Sequence, residues 1–311
     1  MKFFVMLAVL LLRSVPGQGL TRPVDRWLLS WQHRLSGWLG QAAGSSAVFL
    51  LTVLPPVLLL WLLLWWLDGV LWSLPVLLVH LVVIFYALGR RNDLVWVERY
   101  MIAWRQGDHQ AASYYAAEIL DEPLDAASAT ELHCRVVSRL VFFAFDRLFL
   151  VLFWYLLLGP VGALLARLSE QAIANARRGR RVLEEEGIQD PLWPGSCEEQ
   201  VERFQRVMEW PAARLMGLTL ALTGRPLLGL RQFLSDLPRW QLSSEVFLNR
   251  QLLSGYGQLS GEDLAGASAY CERPELMTEE ADQELSLLRE RVWRSLAVWV
   301  AVTAVGVIFW T

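Results

Sequence analysis

"AVFLLTVLPPVLLLWLLLWWL", residues 47–67, runs for twenty-one residues without a charge. An apolar stretch of about 20 residues is what a helix needs to cross a hydrocarbon core of roughly 30 Å, so this segment decides the fold class. A second run, "VLWSLPVLLVHLVVIFYAL" at 70–88, follows after only Asp68 and Gly69, and the pair predicts a transmembrane hairpin. Pro55, Pro56 and Pro75 should kink these helices, which a bilayer tolerates because neighbouring groups re-satisfy the freed carbonyls. His80 lies near the middle of the second run. It reads either as a proton carrier or, more simply, as a neutral ring hydrogen-bonded to a neighbouring helix.

The whole chain agrees with this start. Its 311 residues are 55% hydrophobic and include 16 Trp, more than one soluble core of this size calls for. A formal net charge of -3 leaves no basic surplus to neutralise phosphates along a duplex, so nucleic acid is not expected as a partner. Lys2 is the only lysine, which removes the residue that a Walker-type phosphate loop or a Schiff-base enzyme requires. Cys134, Cys197 and Cys271 are odd in number and widely spaced, and they read as free thiols in a reducing compartment. Adjacent positions on a helix diverge by about 100°, so the His133-Cys134 doublet is not expected to hold a metal.

The predicted architecture is all-α: a polytopic helical membrane protein with large amphipathic-helical polar loops. Residues 1–46 hold a short apolar segment, "MKFFVMLAVLLL", read as an uncleaved helix, and an interfacial helix over 21–40 with Trp27, Trp31 and Trp38 among arginines. The hairpin fills 47–88, and a polar helical loop over 89–140 follows, with helices near 93–106 and 108–120 and Asp108 as an N-cap. Thr130 is expected to cap a helix that runs unbroken to 158 and enters a transmembrane or re-entrant segment at 141–166, ended or bent by "GPVG". The polar region 167–292 should contain a capping box at Ser196 and Glu199, a short apolar segment at 210–222 that dips into the membrane, and amphipathic helices near 226–236 and 243–254. A closing helix from about 279 becomes the final span, 293–311. Arginines flanking the hairpin place 89–140 in the cytoplasm, and 168–292 joins it there if 142–165 and 210–222 dip in without a net crossing.

Chemistry-bearing motifs are sparse. There is no GxSxG, HExxH, GxGxxG or paired-cysteine zinc site, and the acidic runs at 184–186, 198–199 and 279–280 read as solvated helix faces beside arginines. No metal and no cofactor are expected. The stronger signal is "FFAFDRLFLVLFW" at 142–154, which sets Asp146 and Arg147 in an apolar run. Each would cost about 2.5–3.5 kcal/mol at the centre of a spanning helix, so each should face protein, water or a partner. Arg214, beside Glu209 and Trp210, is the expected partner of Asp146. Asp146, Arg147, Arg214, Glu209, Trp210 and His80 therefore form the candidate ligand or signalling site, with a helix-locking ion pair as the structural alternative.

The blocks "SLPVLLVHLVVIFYALGRRN", "FFAFDRLFLVLFWYLLLGPVGALLARL" and "VMEWPAARLMGLTLALTGRPLLGLRQFL" resemble the AmpE family of inner-membrane proteins associated with beta-lactamase induction. That family is in turn remotely similar to the CobD/CbiB family of cobalamin biosynthesis, membrane enzymes that join a corrinoid carboxylate to an aminopropanol phosphate. In those enzymes an E-N-x-x-D-G block precedes a glycine-rich bend, and a later block reads P-A-R-L. By this resemblance Asp146 keeps the aspartate and Arg214 the arginine, while Phe142 and Phe143 replace the acid and the amide and Arg147 the glycine. The resemblance thus implies a shared scaffold whose enzymatic polar site is largely stripped, used as a multi-pass regulator in the bacterial inner membrane that touches beta-lactamase induction and cell-wall recycling. The expected partners are the lipid bilayer and either a cytoplasmic protein or a cell-wall fragment. Residual amide-forming ligase chemistry and muropeptide or small-molecule transport stay open as alternatives.

Overall fold

The computed structural model describes residues 26–39, 45–67, 74–88, 93–120, 129–185, 195–254 and 278–310, with Val5 and Leu7. Among them every regular element is helical. The expected N-terminal helix over the first twelve residues and the loop at 255–277 lie outside the described residues, apart from Val5 and Leu7.

Two compact units are built from interleaved stretches. The first takes Met1–Gly17, Thr21–Arg90 and Leu150–Glu209, the second Gln18–Leu20, Arg91–Phe149 and Trp210–Thr311. In the first unit, α1 (Arg26–Leu39), α2 (Ser45–Leu67), α3 (Leu74–Ala87), α7 (Leu150–Leu158) and α8 (Pro160–Glu185) pack together, with α8 against α2, α3 and α7. Its core joins Leu28, Phe49, Val53 and Val57 to Leu168, Ala172 and Ile173 of α8. Trp27, Trp31 and Trp38 of α1 are exposed as an interfacial helix requires, and the Trp31 indole donates to the Leu51 carbonyl at 3.3 Å. Pro55 and Pro56 sit inside α2.

The second unit holds α4 (Asp93–Arg105), α5 (His109–Leu120), α6 (Ala129–Ala144), the C-terminal part of α9 (Gly195–Thr223), α10 (Pro226–Asp236), α11 (Ser244–Ser254) and α12 (Thr278–Trp310). Asp108 caps α5 as read from sequence, its Oδ1 accepting the Ala111 amide at 2.9 Å. Gly107, at φ 69°, makes the tight reversal between α4 and α5. Helix α6 packs against α5, α11 and α12.

Several expectations are corrected. The helix entering the apolar run begins at Ala129, so Thr130 lies within it rather than capping it. That helix is not uniform, since Phe145–Phe149 form a π-helical turn between α6 and α7. It does end at Leu158 as expected, because Gly159 at φ 70° leaves the helical region and Pro160, lacking an amide donor, starts α8. The apolar residues 210–222 are not a separate short segment but the C-terminal half of the 29-residue α9. Cys134, read as a free thiol, is buried and disulfide-bonded. Its neighbour His133 turns elsewhere, with Nδ1 3.1 Å from the hydroxyl of Tyr100, so the doublet does not converge on one ligand. Burial raises the Tyr100 phenol above its ordinary pKa.

Two helical stretches, Phe49–Leu67 and Leu132–Leu158, are long and apolar enough to cross a bilayer, and α3 is a shorter apolar helix.

Candidate functional site

The six candidate residues are divided between the two units, His80 and Glu209 in the first and Asp146, Arg147, Trp210 and Arg214 in the second. In the first unit, His80 of α3 has Nδ1 3.1 Å from the Tyr155 hydroxyl of α7, and the rings meet edge-on at 5.9 Å. This hydrogen bond joins α3 to α7. Glu209 is buried and accepts a hydrogen bond from Gln205 one turn earlier on α9. Nearby on the same unit, the Trp154 indole donates to the Met208 carbonyl at 3.1 Å.

In the second unit, Asp146 and Arg147 occupy the π-helical turn. Arg147 is buried, and its guanidinium lies 5.0 Å from the Phe143 ring centre. Phe142 makes aromatic contacts with Phe145 at 5.8 Å and with the Arg139 guanidinium at 5.7 Å. A π turn inserts a residue into the helical repeat, and such turns recur at functional sites.

Arg214 is not the partner of Asp146. Its guanidinium lies between two rings, 3.8 Å from the centre of Phe247 on α11 and 5.3 Å from that of Trp210, and it donates to the Arg239 carbonyl at 3.1 Å. Its carboxylate neighbour is Asp236, at the end of α10. Burial lowers the Arg214 pKa from its ordinary value and the Asp236 charge works in the opposite direction, offsetting part of the desolvation. Sequence adjacency to Glu209 and Trp210 could not show that Asp236, at the end of α10, comes near Arg214.

Asp236 itself is fully buried and is the hub that sequence reasoning missed. It faces Arg250 of α11 at 3.3 Å and Arg239 at 3.4 Å, and it accepts from Gln232 at 2.7 Å. Two guanidiniums thus pair with one carboxylate whose charge also acts on Arg214, and Trp240 lies tilted against Trp210 at 4.9 Å. The i,i+3 spacing of Asp236 and Arg239 was a usable signal, whereas Arg250 could be placed only by knowing how α11 docks. Coupling follows from this geometry. A double-mutant cycle of Arg214→Gln with Asp236→Asn should show about 1 kcal/mol of interaction in detergent-solubilised unfolding, while the cycle of Arg214→Gln with Asp146→Asn should show none. The reverse ranking would restore Asp146 as the partner.

Among the described residues, no group of three or more His, Cys, Asp and Glu side chains is arranged to hold a metal ion. The acidic runs at 184–186, 198–199 and 279–280 have side chains outside the described set.

Residues 1–254 match the family model described as "Regulatory signalling modulator protein AmpE". The chain belongs to the AmpE family. This AmpE-family protein is also similar to "Cobalamin biosynthesis protein CobD" of Stutzerimonas stutzeri (strain A1501), at 29% identity over 296 residues, covering 88% of this chain and 86% of the relative. No solved structure matches it. The two similarities agree with the pairing of families expected from the blocks around Asp146 and Arg214.

Proposed function

We propose that this protein is a multi-pass regulator of the bacterial inner membrane that modulates beta-lactamase induction in response to cell-wall recycling, working with a cytoplasmic protein or a cell-wall fragment. The match to the AmpE regulatory family over residues 1–254 carries this reading. Two bilayer-length apolar helices support the membrane location. The likeness to a CobD protein supports a shared scaffold, while the aromatic contacts of Phe142 and Phe143 support loss of ligase function, since packed rings can neither ligate a metal nor activate a carboxylate. The polar helices of 167–292 supply the partner surface in this reading.

Deleting the gene should change beta-lactamase activity under beta-lactam challenge by severalfold, together with the muropeptide pool, and the intact gene supplied in trans should restore both. If induction and muropeptides are the same with and without the gene, the regulatory reading falls. If the purified protein instead forms an amide from a corrinoid acid and an aminopropanol phosphate, the ligase alternative replaces it.

A further inference from the structure

The Arg214 cluster carries more positive charge and more free donors than its own contacts use. Arg214 is buried, yet its Nε and Nη1 have no hydrogen-bond partner, and the Trp210 indole Nε1 beside it has none either. A buried donor left without an acceptor costs about 1–3 kcal/mol, more for a charged group, so three in one place call for an explanation. All three are donors, and the nearest carboxylate, Asp236, gives its Oδ2 to Gln232 and Arg250 and turns its Oδ1, which makes no hydrogen bond, to Arg239 at 3.4 Å. An anionic oxygen group would complete the cluster, and Arg214, oriented between the Trp210 and Phe247 rings, is held ready for one.

The surrounding surface says where that anion comes from. Helix α10 buries Gly229, Phe233 and Asp236 on one face and presents apolar side chains on the other, with Leu227 88% and Leu234 64% exposed. Trp240 follows, 47% exposed. Eleven residues cannot span a bilayer, but an exposed apolar stripe on a short helix suits burial at the boundary between headgroups and acyl chains. Arg225, Arg231 and Arg239 are exposed along the same segment against a single acid, Asp236. Basic residues beside apolar ones at that depth favour an anionic leaflet.

We infer that α10 lies in the bilayer interface and that Arg214, Arg239 and the Trp210 indole bind the phosphate of an anionic phospholipid headgroup. This rests on the membrane reading above, which alkaline carbonate extraction of membranes tests separately: a protein released by carbonate would overturn the location itself, whereas a retained protein leaves the headgroup site to stand or fall on its own measurement.

The measurement is thermal unfolding of the full chain in detergent, titrated with phosphatidylglycerol, with phosphatidylcholine of the same chains, or with inorganic phosphate. Phosphatidylglycerol should raise the midpoint and the other two should leave it nearly unchanged. Arg214→Gln should weaken the apparent affinity for phosphatidylglycerol about tenfold, as expected for losing one charge-assisted contact. If that variant does not fold, Trp210→Phe, which keeps the ring and removes the indole donor, should weaken it by a smaller factor. Equal stabilisation by phosphatidylcholine overturns the headgroup site. A full response to inorganic phosphate alone overturns the lipid as source, and wild-type affinity in the folded variants overturns the residues.

Discussion

Asp236→Ala should lower the unfolding free energy of the detergent-solubilised protein by about 3–5 kcal/mol, the cost of leaving buried cations without their counter-charge. Asp236 is fully buried, and Arg250, whose side chain is nearly so, would keep no carboxylate partner. Gln232 would lose its acceptor as well. The comparison that isolates charge from packing is Asp236→Asn, which keeps the shape and one acceptor and should cost less than Ala. Chemical denaturation followed by circular dichroism reads both. A loss below about 1 kcal/mol for Asp236→Ala would mean that water reaches the cluster and screens it, as at a surface ion pair.

Gly162→Ala should destabilise by about 3 kcal/mol, although alanine is the better helix former by about 1 kcal/mol. A Cβ at Gly162 would lie 2.3 Å from the Trp154 carbonyl oxygen and 2.7 Å from the Leu158 Cβ, so α8 would have to move off the backbone of α7. Backbone atoms cannot swing aside as a side-chain tip can, which puts the cost at the upper end for overpacking. Gly107→Ala is the control. There the same methyl meets nothing within 4 Å, and only the positive φ is penalised, at about 1–2 kcal/mol. Propensity alone predicts that Gly162→Ala stabilises, so the sign of the change decides between local preference and packing.

What the sequence made legible were the features whose physics is local. An uncharged run of bilayer length, an aspartate ahead of a helix and a glycine before a proline each act over a few neighbours, and α2, the Asp108 cap and the break at Gly159 followed. The π turn was not legible, because a five-residue widening changes no residue type and leaves the apolar pattern of 142–154 intact. Nor was the true partner of Arg214. Asp236 reaches it through the docking of α9, α10 and α11, and a charge on a helix with one polar face reads as solvated until that docking is known. Cys134 failed for the same reason, since an odd count of distant cysteines says nothing about which two meet.

The interleaving of the two units bears on the order in which they can be completed during synthesis. Every stretch of the first unit precedes Trp210, so it can close while the second still lacks α10, α11 and α12. The second unit depends on α12, where Trp299 sits edge-on against Phe149 at 5.2 Å and Arg291 donates to the Leu252 carbonyl at 3.0 Å. Until α12 leaves the ribosome, the faces of Phe149 and α11 that it covers stay open to whatever else is nearby. The matched segment, residues 1–254, therefore ends before the helix that finishes the unit holding Arg214. A chain stopped at 254 would carry the whole of that segment and a half-built home for it.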